Sequence, residues 1–469
     1  MSDLSSALAG HEIDVIVIGA GAVGAVVAAV LRDKGARVLV LDAGGPPDSA
    51  DSPKVAPPDA AWRHRCEPPE ARWLREIAVG GRTLVWGGWC VRACEQNVTD
   101  ARLAETPWQM PLSALDPYYA RVERMLGVVG NRDGLGVVPD GVFADSVTLH
   151  PRLVGLGASL DLPIIAGRLA RVTGRPWRAM DALHGVEVVP RTTALRVLVQ
   201  RGQVVGVECH RGAGERVVVR ARRVVLAASA VESARLLRAS GCGHDEPLRI
   251  VGSLVASHLV LVPGRIADVP GVSYSAFVPR FTNIEGGAAR PYVGGFSLEV
   301  VGPSPASVLG DDAGPMLGVS SEMLADSTIF QVHALGTMLP SWERTVRFDD
   351  ADRDALGRPV PVLRLASSDN DRSIGEDMNA ACLAVAGGLG SDATAIPFMQ
   401  PDGLVLGSEV LFGREDDHDF DAGGRHRRVA GLHVADGRHA PLVGDRHPTL
   451  TMLACAVRAA DAVVADLAQ

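Results

Sequence analysis

Ile13-Asp14-Val15-Ile16-Val17-Ile18-Gly19-Ala20-Gly21-Ala22-Val23-Gly24 decides how the start of the chain folds. Ile13 to Ile18 is apolar and β-branched, which predicts a buried strand, and three glycines at G-x-G-x-x-G spacing follow it. The stretch to Lys34 predicts a helix with Gly35 as its stop, and Arg37 to Leu41 predict a second strand ending in Asp42. Together these segments make a complete βαβ unit. Gly19 permits the tight turn, Gly21 lets a pyrophosphate approach the backbone, and Gly24 lets helix and strand pack closely, while the positive end of the helix favours phosphate charge. Asp42 has the place of the acid that accepts from a ribose hydroxyl. Ala22, Val23 and Ala43 flank these positions and complete the first set of candidate nucleotide contacts.

The unit predicts a dinucleotide but does not choose between FAD and NAD, which present the same adenosine diphosphate half to it. The rest of the chain narrows the field. With 469 residues, 47% hydrophobic and 22% charged, the sequence can bury a large core in two or three domains. The balance of 46 basic and 55 acidic residues gives a net charge of −9, and no Lys/Arg stripe offers a phosphate backbone a footing, so no nucleic-acid partner is expected. Seven scattered cysteines, an odd number, fit a reducing, cytoplasmic setting. Cys90 and Cys94 lack a second Cys/His pair at ligand spacing, so two packed thiols and no metal are expected. Val15 to Leu31 carries no charge, yet Asp3 and Glu12 precede it and glycines interrupt it, so neither a signal segment nor a membrane span is read there.

A second glycine-rich segment, Val79-Gly80-Gly81-Arg82-Thr83-Leu84-Val85-Trp86-Gly87-Gly88-Trp89, suits neither a regular strand nor a helix and predicts a loop whose backbone approaches a flat, bulky ligand. Near the C-terminus, Leu450, Leu453, Val457, Ala460, Val464 and Leu467 follow helical spacing, with Pro448 at the expected first helical residue and His447 beside it. The positive end of that helix could stabilise negative charge developing on a ligand.

The loop at 79–89 resembles the flavin-cradling segment of the glucose/methanol/choline (GMC) oxidoreductases. Other stretches resemble the same family, in its pyranose-oxidase-like, actinobacterial branch: Trp108 to Val128, with Leu115-Asp116-Pro117-Tyr118-Tyr119 and Glu123; Arg223 to Arg235, with Ser229 where the family usually has glycine; and Gly431 to Gly437 followed by His447-Pro448-Thr449. The resemblance implies an α/β fold: a Rossmann-like FAD-binding domain from residues 1–247 and 401–469, and an inserted α+β substrate domain, 248–400, built on an antiparallel sheet. It also implies FAD contacts at Gly80, Gly81, Thr83, Trp86, Gly87, Gly88, Ala194, Leu195, Ala228, Ser229, Asp436, Gly437, His447, Pro448 and Thr449. Members that hold FAD covalently carry histidine just before the cradle tryptophan; Val85 stands there and has no nucleophile, so non-covalent FAD is expected.

The family oxidises alcohols with a histidine paired with a second His or Asn. His447 matches the second member, but Leu404 stands where the first is expected. That leaves His447 as general base, with His439 as a minor candidate; Glu409 and His418 could also supply the missing group, though His418 reads as a solvated loop residue. The expected function is oxidation of a CH–OH group on a small polar substrate (sugar, glycoside, nucleoside or aminocyclitol), with oxygen or another carrier as acceptor. Leu404 keeps two alternatives open: a redox-neutral flavin-dependent lyase and a non-catalytic FAD-binding protein. Pro46 to Pro69 reads as an irregular excursion over the site, Val186 to Val207 as a hairpin, and Arg249–Val262, Tyr292–Val301, Ser327–Leu335 and Thr345–Phe348 as strands of one pocket wall. Phe330, His333, Trp342 and Phe398 are possible lining residues, each expected more often in a core.

Overall fold

The computed structural model describes residues 12–47, 62–103, 110–212, 214–282, 290–309, 314, 317–407, 409–412, 419–440 and 444–469. A five-stranded parallel sheet carries the nucleotide unit, in the order Glu187–Val189, Val38–Leu41, Val15–Ile18, Arg223–Leu226, Leu432–Val434. Val15–Ile18 and Val38–Leu41 are buried at every position, as parallel strands covered on both faces must be. On one face Val26 and Val30 of the Ala22–Asp33 helix pack with Leu453 and Val457 of the Thr449–Leu467 helix, over Val15, Val17 and Val225. On the other, Ile16, Leu39 and Leu226 meet Val197, Val207 and Val219 of an antiparallel sheet, Thr192–Gln200, Gln203–Arg211 and Glu215–Arg220. Each such fully buried aliphatic side chain contributes roughly 1.5–3 kcal/mol.

The glycine spacing has a direct steric cause. A Cβ at Gly24 would sit 1.9 Å from the Gly19 carbonyl oxygen, and one at Gly19, where φ is +104°, 2.4 Å from the Ala227 oxygen. Helix, turn and the Arg223–Leu226 strand therefore touch through backbone alone.

A six-stranded antiparallel sheet faces this unit, in the order Thr394–Met399, Ser253–Pro263, Ser327–Thr337, Phe296–Pro305, Ser275–Val278, Ile165–Ala166. Ala256, Val332 and Ala334 turn one face toward Met378, Cys382 and Val385 of the Asp369–Leu389 helix. Ser368 caps that helix, its hydroxyl accepting from the Asp371 amide at 3.1 Å. The expected single wall is in fact divided. Arg249–Val262 is not one strand: it breaks at Gly252, where a Cβ would meet Leu406 at 2.9 Å. Leu248–Val251 joins Thr345–Arg353 in a second sheet with Val410–Phe412, Pro359–Arg364 and Arg65–Glu67. The Ile165–Ala166 and Arg65–Glu67 strands, from the N-terminal part of the chain, also join these sheets.

The expected hairpin forms between Thr192–Gln200 and Gln203–Arg211. The helix expected near Tyr119 spans Asp116–Leu126 and ends at Gly127 with φ +58°; Trp108 lies outside the described residues. Pro448 caps the last helix from one position outside it rather than opening it as its first residue, since Thr449 is the first helical residue. Much of the Pro46–Pro69 excursion, 48–61, lies outside the described residues. Among the described residues no helix is long and apolar enough to cross a membrane.

Candidate active site

A cavity of about 640 Å³ opens between the nucleotide sheet and the six-stranded wall. Gly19, Gly21, Ala22 and Val23 line it from the glycine turn. A Cβ built on Gly21 meets nothing within 4 Å, so this backbone faces open space. The helix that starts there has no side-chain cap, leaving its first N–H groups to an anionic ligand. Gly24 is off the cavity surface; its part is the close packing described above.

Asp42 and Ala43 also line the cavity. Asp42 accepts from the Ala20 amide at 2.6 Å and the Gly44 amide at 2.7 Å, so it braces the glycine turn as well as facing the cavity. Burial outweighs these two hydrogen bonds and pushes its carboxyl up to about 6. Asp436 is similar: burial pushes it up to about 6 although the Ser233 hydroxyl and the Arg438 amide both donate to it. Asp436 also caps the Gly437–His439 turn. A turn of free amides between two buried acids suits a dinucleotide, whose phosphates accept hydrogen bonds and whose hydroxyls donate them.

The second glycine-rich segment packs on the first. Gly80 donates its amide to the Ala20 carbonyl at 3.1 Å, and the Cβ position of Gly81 lies 3.2 Å from the Gly21 Cα. Gly81, Thr83, Trp86 and Gly87 line the cavity; Gly80 and Gly88 stand behind, Gly88 against the Ala170 carbonyl. Thr83 is pinned through its hydroxyl to the Gly80 carbonyl at 2.6 Å, and Trp86 donates its indole N–H to the Trp177 carbonyl at 2.7 Å. Val85 is 62% exposed and borders the cavity. Of the remaining expected contacts, Ala194, Ala228, Ser229 and Thr449 line the cavity. Leu195 does not: it sits at a bulge in the Thr192–Gln200 strand and is buried. Gly437 is packed beneath the Glu409 carbonyl and Pro448 within the chain, neither at the cavity surface.

His447 lines the cavity with its side chain 38% exposed, and behind it the Glu299 side chain is 3% exposed. His447 Nε2 lies 3.3 Å from both carboxylate oxygens, but only the contact to Oε2 has hydrogen-bond geometry; Oε1 is buried with no hydrogen-bond partner. Among the described residues none meets Nδ1 of His447. The preceding loop is fixed by a buried network. Arg446 forks onto Asp445 at 2.7 and 2.9 Å and donates to the Arg92 and Val137 carbonyls, Asn97 donates to Asp445 at 2.9 Å, and Ser297, two residues before Glu299, donates to the Asp445 carbonyl. Burial disfavours a charge on Asp445, yet the adjoining Arg446 guanidinium outweighs it and holds the carboxyl below its usual range.

Leu404 contributes nothing to the cavity: it packs against the core of the wall sheet, and its carbonyl accepts from Arg72. The His439 side chain and His418 lie outside the described residues. Glu409 borders the cavity. Of the four possible lining residues, His333 lines the cavity, Phe398 stacks edge-on against His333, Phe330 is core, and Trp342 borders a separate surface groove with Thr345 and Arg364. Glu299 gave no signal in the sequence, nor did Arg75 and Glu232, a cavity-lining ion pair at 3.1 Å. Cys90 and Cys94 are free buried thiols, each pushed up by burial. Among the described residues no group of three or more His, Cys, Asp or Glu could hold a metal ion.

A parallel dinucleotide-type sheet opening on a cavity that His333 enters from the wall sheet and His447 from the head of the last helix has the arrangement of a nucleotide-cofactor oxidoreductase. A model of the GMC oxidoreductase family matches residues 177–260. C-glycoside 3-oxidase from Microbacterium trichothecenolyticum is 26% identical over 83% of this chain and 76% of its own length. Paromamine 6'-oxidase from Streptomyces fradiae is 27% identical over 97% of this chain and 92% of its own. Pyridoxine 4-oxidase from Mesorbium loti shares the fold with a TM-score of 0.60 at 17% identity, covering 96% of this chain and 99% of that one. These matches support the GMC oxidoreductase family, on the side of its actinobacterial, pyranose-oxidase-like members, and the chain is an FAD-dependent alcohol oxidoreductase.

Proposed function

We propose that this enzyme oxidises a CH–OH group of a sugar, glycoside, nucleoside or aminocyclitol, with His447 as the general base. The observation that carries this reading is the hydrogen bond between His447 Nε2 and Glu299. With Nε2–H donated to a carboxylate, the lone pair of the neutral ring is on Nδ1, ready to take the substrate's hydroxyl proton. Glu299 then stabilises the imidazolium that forms. Bound FAD supplies the hydride acceptor, with oxygen or another carrier as the final electron acceptor. The names of the two actinobacterial relatives, a C-glycoside oxidase and a paromamine oxidase, support a polar, carbohydrate-like substrate.

Within this reading, residues 248–400 form the substrate domain and 1–247 with 401–469 the FAD domain. Val85 leaves FAD dissociable, and seven free cysteines accord with a cytoplasmic location. The lyase and non-catalytic alternatives rested on Leu404, and the site has other imidazoles. The test is the visible spectrum of the purified protein, before and after acid precipitation, then under anaerobic titration with sugars, glycosides, nucleosides and simple alcohols. Flavin released into the supernatant and bleached by one of these compounds supports the reading. Flavin that is bound but bleached by none supports the redox-neutral alternative.

A further inference from the structure

The wall sheet brings three polar residues from distant parts of the chain into one row. Ser257 pairs with His333 across one ladder, and His333 with Glu299 across the next; directly opposed residues share a face of the sheet. On that face Val255, Leu259, Val301 and Leu335 flank the row with apolar side chains, and Gln331 and Ser297 add polar ones. His333 reaches the cavity, as His447 does, and Glu299 lies behind them. The two imidazoles are thus backed by one carboxylate.

The hydrogen bonds of His333 indicate which nitrogen carries its hydrogen. Ser257 Oγ lies 2.8 Å from Nδ1, and Gln331 Oε1 3.3 Å from Nε2. Burial lowers the proton affinity of the ring; Glu299 opposes that effect and His447 adds to it. In a neutral ring one nitrogen donates and the other accepts. With the amide oxygen at Nε2, that nitrogen carries the hydrogen and the Ser257 hydroxyl donates to Nδ1. The Nε2 contact exceeds the usual N–H···O range, so a ligand oxygen can replace it at little cost.

We propose that His333 is a specificity-determining residue whose Nε2–H donates to an oxygen beside the reacting hydroxyl, so that the substrate class is a vicinal polyol rather than a simple alcohol. This deepens the reading of His447 as base and rests on it.

The test uses the FAD-loaded enzyme with 1,5-anhydroglucitol and its 2-, 3- and 4-deoxy derivatives, each lacking one hydroxyl. In the wild type, one deletion should raise KM by roughly tenfold with little change in kcat. In His333→Leu the parent polyol should show that raised KM already, and the same deletion should cost nothing further. His333→Gln, which keeps an N–H donor, should recover part of the loss, and an unchanged flavin spectrum would show that the variants are folded. A His333→Leu enzyme with unchanged KM, or with reduced kcat and a shifted pH profile, would overturn the proposal, the second result making His333 a base. If the polyol reduces no flavin even in the wild type, turnover cannot report on His333, and the panel titration above separately decides the oxidation reading; binding alone decides the role of His333. Its ring Cε1–H resonance, assigned with His333→Gln, should then shift on adding 1,5-anhydroglucitol and stay fixed with cyclohexanol; no shift with the polyol overturns the proposal.

Discussion

Ser229 holds φ +73° and ψ 155° at the N-terminus of the Ala230–Ala239 helix, a region comfortable only for glycine, in which other residues lose about 1–3 kcal/mol. Part of any gain from glycine is offset by its greater freedom in the unfolded chain, roughly 0.5–1 kcal/mol. Ser229→Gly should therefore stabilise the protein by about 1 kcal/mol and raise its melting temperature by about 1–2 °C, with FAD still bound; calorimetry of the loaded protein checks this. Glu299→Gln tests the other end of the site. The variant should keep its FAD but lose roughly 100-fold in the rate of anaerobic flavin reduction, because the His447 tautomer is no longer fixed and the imidazolium no longer stabilised. Stopped-flow absorbance gives both numbers; an unchanged rate would remove Glu299 from the site. Asp42 and Asp436 line the cavity, and if they meet FAD as proposed they give its binding a pH dependence. Both are raised to about 6 by burial, and the protonated form is a poorer acceptor for ribose hydroxyls. FAD should therefore bind well at pH 7.5 and more weakly as pH falls through about 6, by up to tenfold per unit for each acid. Without FAD the linkage has the opposite sign: the contribution of these acids to folding is complete below about pH 4 and is lost as pH rises through about 6. Equilibrium dialysis across pH 5–8 measures the first effect and thermal melts of FAD-free protein the second.

At the scale of elements, two glycines three and six positions after the first strand separate folding from binding. Gly24→Ala places a methyl 1.9 Å from the Gly19 oxygen, whereas Gly21→Ala places one in open space. The first change should push the helix off its turn and give unstable, colourless protein. The second should leave the melting temperature of FAD-free protein within about 1 °C, while raising the dissociation constant for FAD at least tenfold, because the methyl occupies room the pyrophosphate needs. The same contrast explains what was legible in the sequence. The nucleotide unit was readable because its strand, turn, helix and acid are contiguous, and Gly24 meets the carbonyl of Gly19 only five residues before it. The C-terminal helix was readable to within one residue for the same reason. The polar row was not, since Ser257, Glu299 and His333 meet only through strand register, which no single stretch of sequence states. Nor was the break at Gly252, because the apolar run from Arg249 to Val262 continues through it and only contact with the 406–407 segment shows why the chain must turn there.

At the scale of the whole molecule, the cavity is bounded by both the parallel sheet and the antiparallel wall, so FAD bound in it touches surfaces that otherwise meet around open space. Binding energy then adds to the stability of both. At free FAD one hundred times its dissociation constant, the protein should gain about 2.7 kcal/mol over its acid-stripped form, seen as a melting temperature that climbs with FAD concentration. A melting temperature that ignores FAD would mean that the folded protein binds it no better than the unfolded chain does. The order of the parallel sheet has a further consequence, for the birth of the protein. Strands 15–18 and 38–41 leave the ribosome early, the 223–226 strand that flanks them comes much later, and the edge strand 432–434 later still. Until then the growing chain carries an apolar, unpaired strand edge of the kind that aggregates, so slowing translation between residues 41 and 223 should lower the soluble yield, and chaperones that shield nascent strands should restore it.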